Sequence, residues 1–128
     1  MSSLTLGFVV GSVLWLTFWQ LVVVARRRGQ KIGFGYADDK GLRNRIRVHA
    51  NALENLLPFC MILMVVDWQI DVGLFTILCC AFMAVGRLLH PFGMLNARRY
   101  HITRVVGMGL SFAATLLLTG RALALLFG

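Results

Sequence analysis

Arg43, Arg47, Asn51, Glu54 and Pro58 recur at spacings of 4, 4, 3 and 4. On a helix turning about 100° per residue they share one stripe. Arg45 and His49, also four apart, fall on roughly the opposite face. Arginine forks hold carboxylates through paired N–H donors, the Glu54 carboxylate suits an ammonium, and Asn51 can bond an amide. Such a stripe is equipped to hold a small, largely anionic ligand. It runs directly into the apolar stretch Leu56 to Val66, so it is not the wet side of an ordinary amphipathic surface helix. The segment reads as a membrane helix whose first half lines a polar site.

Composition supports that placement. Of 128 residues, 59% are apolar and only 14% charged, with a mean hydropathy of +0.77, far from the usual balance of a soluble domain. At about 20 residues per crossing, the length accommodates one domain, residues 1–128, with four spans and no separate soluble catalytic unit. The net charge of +8 does not indicate nucleic-acid binding, because no basic patch stands apart from the membrane flanks. Cys60, Cys79 and Cys80 lie inside apolar runs without a Cys-x-x-Cys pair and read as packed apolar groups. His49, His90 and His101 are dispersed and form no metal constellation. Met1-Ser-Ser lacks the positive region of a cleaved signal peptide, so the first apolar segment is expected to be retained.

The spans are expected at about 4–25, 42–66, 72–89 and 102–127. The first contains Gly7-x-x-x-Gly11, a spacing that lets another helix approach closely, and it ends in Arg26-Arg27-Arg28. Pro58 should kink the second near Glu54, whose carbonyl loses its partner. Asp67 to Asp71 forms an acidic turn, and Pro91 and Gly93 are expected to end the third span just after Arg87 and His90. Of the 13 Lys and Arg, all but Arg121 lie in or beside the first and third connections. The positive-inside rule then places both basic connections in the cytoplasm and both termini outside.

One membrane face therefore gathers Arg26, Arg27, Arg43, Arg47, Asn51, Glu54, Arg87, His90 and Arg104. Ionisable groups at membrane depth cost on the order of 2.5–3.5 kcal/mol each and need partners. Glu54 can be paired internally with Arg47 or Arg104, or the excess positive charge can be completed by an anionic ligand.

The run Arg47-x-His49-x-Asn51-x-Leu53-Glu54-Asn55-x-x-Pro58-Phe59 closely resembles the second-helix signature of the MAPEG superfamily, the membrane-associated proteins of eicosanoid and glutathione metabolism. The microsomal glutathione transferase branch is the nearest likeness. Arg26-Arg27 and Arg87-Leu-Leu-His90 resemble the ends of that family's first and third helices. The resemblance implies an all-α, four-transmembrane-helix bundle assembled as a homotrimer, with glutathione as co-substrate, no metal, and a lipophilic electrophile arriving from the bilayer. It implies that Arg47, Asn51 and Glu54 contact glutathione, supported by Arg26, His49, Arg87 and His90. An arginine at the start of the fourth helix would activate the thiol: Arg104, with Arg98 and Arg99 as alternatives. The implied activity is glutathione transfer to electrophiles or reduction of lipid hydroperoxides. Where some family members carry a tyrosine near the thiol, this chain has His90 and Met94, with Tyr100 in the loop.

Two other readings are weighed. A MAPEG fold can be kept without turnover. A small multidrug transporter would also be a short four-span oligomer, but residues 4–25 contain no acid to bind protons. Either a bacterial inner membrane or the endoplasmic reticulum suits an integral protein of this kind.

Overall fold

The computed structural model describes residues 1–96 and 101–127. Four helices follow one another: α1 (Ser3–Gly29), α2 (Lys40–Gln69), α3 (Leu74–Leu95) and α4 (Ile102–Phe127). Each is long and apolar enough to cross a membrane. The bundle is centred on α2 and α3, with 39% and 44% of their apolar stretches buried, against 17% for α1 and α4 at the perimeter. Packing is most extensive between α3 and α4, while α1 rests mainly on α2.

The helix ends have identifiable chemical causes. Ser2 caps α1, its hydroxyl accepting from Thr5 N–H at 3.2 Å, and the Asp67 carboxylate accepts from Ser2 N–H at 2.8 Å. Asp67 therefore lies inside α2, where it anchors the start of α1, and is not part of the acidic turn expected from sequence. Asp39 caps α2, accepting from Gly41 and Leu42 N–H at 2.8 and 3.1 Å. These bonds satisfy donors that the first helical turn leaves free.

α3 corrects a second expectation. It passes through Pro91 and Gly93 and ends only at Leu95. A proline removes one backbone bond, here to the Arg87 carbonyl, but close packing on α4 keeps the helix going. A Cβ at Gly93 would lie 2.5 Å from the Cβ and backbone nitrogen of Arg104, and one at Gly86 would lie 2.7 Å from the Gly107 carbonyl oxygen. Glycine at these two positions is what permits the approach. α2 likewise remains a single helix through Pro58.

The core is shared by α2, α3 and α4: Phe59, Leu63 and Val66 meet Cys79, Cys80, Met83, Ala114 and Leu118. All three cysteines are buried and free, in keeping with their apolar surroundings. On the Gly7-x-x-x-Gly11 face, nothing among the described residues lies within 4 Å of a Cβ at either glycine. This face borders an apolar cleft of about 300 Å³ with Phe8, Trp15 and Leu88.

Candidate functional site

The polar stripe of α2 forms one wall of a cavity of about 340 Å³. Arg47, Ala50, Asn51 and Glu54 face His90 and Met94 from the end of α3, and Arg104 and Met108 from the start of α4. Spacings of 4 and 3 place Arg47, Asn51 and Glu54 on this wall, while the tight contact at Gly93 brings the first turn of α4 against the last of α3. The size suits a small molecule. A wider basin of about 760 Å³ adjoins it, sharing Arg47, Met94 and Arg104 and adding Lys40 and Arg43. The combined lining carries four cationic side chains and one carboxylate, Glu54.

Glu54 enters no ion pair among the described residues; the two pairs there are Arg26 with Asp39, and the amino terminus with Asp67. Internal pairing of Glu54 with Arg47 or Arg104 is thus not what the geometry shows. Asn51 is more constrained. Its Oδ1 accepts from Arg87 Nη1 at 2.8 Å, and its Nδ2 points to Met108 Sδ at 3.7 Å.

Of the residues expected at the site, Arg47, Asn51, Glu54, His90 and Arg104 line the cavity, and three others do not. Arg87 is only 3% exposed and spends its donors within the protein, on Asn51, Ser111 and Gly107. Arg26 is tied to Asp39 by Nε to Oδ2 at 2.9 Å, so in this chain it fastens α1 to the start of α2. His49 is half-buried on another face of α2 and outside the cavity. Arg98 and Arg99, the alternatives to Arg104, and Tyr100 lie outside the described residues.

Sequence reasoning missed Met108, Gly107 and Ser111. A small-residue signal was present for the last two, four apart on one face of α4 and close to Gly86. Among the described residues no group of three metal-ligating side chains occurs.

A family model, described as the MAPEG family, matches residues 5–124 of the 128. The chain belongs to the MAPEG family. No match is found among curated proteins, and none among solved structures. Membership makes this an integral, multi-pass membrane protein of the glutathione and eicosanoid metabolism superfamily, whose members include glutathione transferases and also non-enzymatic proteins. In this MAPEG protein the polar cavity lies between α2, α3 and α4, and the apolar cleft lies on the side of α1.

Proposed function

We propose that this MAPEG protein is a membrane-bound glutathione transferase, able also to reduce lipid hydroperoxides, and that it works as a homotrimer. The observation that carries the reading is the cavity that sets Arg47, Asn51 and Glu54 opposite His90 and Arg104. Glutathione offers two carboxylates, an ammonium, two amides and a thiol. Arg47 supplies a fork for a carboxylate, Glu54 a counter-charge for the ammonium, and Asn51 a hydrogen bond to an amide.

Arg104 is the thiol activator in this reading. A free thiol ionises near pH 8.5 and reacts as thiolate; a neighbouring guanidinium favours the ionised form. Arginine does so without taking the proton, which leaves through the open basin to water. The thiolate sulfur then attacks an electrophilic carbon delivered from the bilayer, forming a C–S bond as the leaving group departs with its electron pair. With a hydroperoxide, two glutathione molecules become a disulfide while the O–O bond is reduced to alcohol and water.

Titration of the detergent-purified protein with glutathione tests this, following ultraviolet thiolate absorbance and turnover of a general aromatic electrophile. Saturation at millimolar glutathione is expected. Arg104→Ala should retain binding and lose thiolate signal and turnover by at least about tenfold. Absence of saturable binding at millimolar concentration overturns the catalytic reading, and an unchanged Arg104→Ala moves the activating role to Arg98 or Arg99.

A further inference from the structure

Arg87 is a cation 97% buried in the middle of the bundle, and every acceptor it uses is neutral. Nε donates to Ser111 Oγ at 2.8 Å, Nη2 to the Gly107 carbonyl at 3.3 Å, and Nη1 to Asn51, reaching both its side-chain oxygen at 2.8 Å and its main-chain oxygen at 3.3 Å. Neither ion pair among the described residues includes it. A buried charge without a counter-ion is costly, and a packed apolar side chain would avoid that cost. What an apolar residue cannot supply is a rigid fork of donors. The neighbours make room for it: a Cβ at Gly86 would sit 2.5 Å from Ser111 Oγ, and Ser111 Oγ itself donates to the Gly107 carbonyl at 2.8 Å.

The fork acts on Asn51. A carboxamide has one accepting and one donating end, and a guanidinium has no acceptor, so the oxygen must face Arg87. One nitrogen gripping both oxygens of Asn51 also holds the side chain against rotation. The amide nitrogen is left on the cavity side, where its partner is the thioether of Met108 at 3.7 Å, a weak acceptor. We infer that Arg87 is a positioning residue that locks the Asn51 amide with its NH₂ toward the cavity, making Asn51 a dedicated donor to a carboxylate or carbonyl oxygen of the ligand. The ligand half of this inference rests on the glutathione reading; the orientation of the amide does not. Ligands that present a donor at that point are rejected, because N–H would meet N–H.

The whole chain in detergent is titrated with glutathione as wild type, Arg87→Gln, Asn51→Ala and the double variant. Each single change should weaken binding by about tenfold, and the double variant should bind no more weakly than Asn51→Ala alone. Losses that multiply, or Arg87→Gln binding like wild type, overturn the inference, since a purely structural arginine would act independently of Asn51. Should Arg87→Gln fail to fold, Asn51→Asp keeps an acceptor for Arg87 while removing the N–H; it should fold and lose binding, and undiminished binding overturns the inference. Should wild type bind no glutathione, the functional reading fails separately. The orientation is then read from the Asn51 side-chain amide resonances of ¹⁵N-labelled, ligand-free protein. They should move toward free-amide positions in Arg87→Gln, and unmoved resonances overturn it.

Discussion

Asp39 uses its two oxygens for two purposes. One accepts from Arg26 Nε, and the other from the Gly41 and Leu42 N–H groups that open α2. The Arg26 hydrogen bond first, and the backbone donors after it, hold its carboxyl below the usual carboxylate value of 3.8. A group whose folded value is depressed stabilises the fold at pH above its unfolded value, and that contribution fades as pH falls through the folded value. The connection between α1 and α2 should therefore loosen in acid, below about pH 4. Asp39→Asn retains a cap but has nothing to titrate, so its melting temperature should vary less with pH across that range than the wild type's. Equal acid sensitivity in thermal melts at matched ionic strength would place the titrating group elsewhere. This clamp also marks a limit of sequence reasoning at the residue scale. That Arg47, Asn51 and Glu54 share a face follows from their spacing alone. The partners of Arg26 and Arg87 do not, because Asp39, Asn51 and Ser111 reach them only through turns and tertiary packing.

At the scale of elements, the α3–α4 seam sets where Arg104 stands. Gly93 lets the backbone of Arg104 come within the space of a missing methyl, so Gly93→Ala must push the first turn of α4 outward. The expected cost is about 1–3 kcal/mol of stability, the usual range for overpacking a tight contact, and under the proposed transferase function turnover should fall as Arg104 leaves the cavity wall. Gly109→Ala, with open space around its Cβ, should not destabilise and should gain about 0.5–1 kcal/mol from the better helix propensity of alanine. Denaturant unfolding in detergent compares the two; equal stability would mean that the seam yields freely. Four helices were legible in the hydropathy because each carries a long apolar run. The far end of α3 was not, since Pro91 and Gly93 signal termination locally and only contact with α4 reverses that signal.

At the scale of the molecule, α1 is attached mainly along one side. It packs on α2, while its Gly7 and Gly11 face stays open beside the apolar cleft. In the proposed homotrimer that face is available to a neighbouring copy. Cross-linking in native membranes should then stop at three subunits, and Gly7→Leu should lower the trimer fraction while the helical circular dichroism stays that of wild type. A dimer limit would contradict the assembly. The same anatomy bears on how the protein is made. α1 and α2 are joined at both ends, through Ser2 and Asp67 at one and through Arg26 and Asp39 at the other, so this hairpin can close on itself as soon as it leaves the ribosome. The cavity takes one wall from that hairpin and its remaining walls from α3 and α4. It is therefore complete only when α4 is in place, and a chain stalled before α4 holds the stripe of α2 without the wall that Arg104 and Met108 supply.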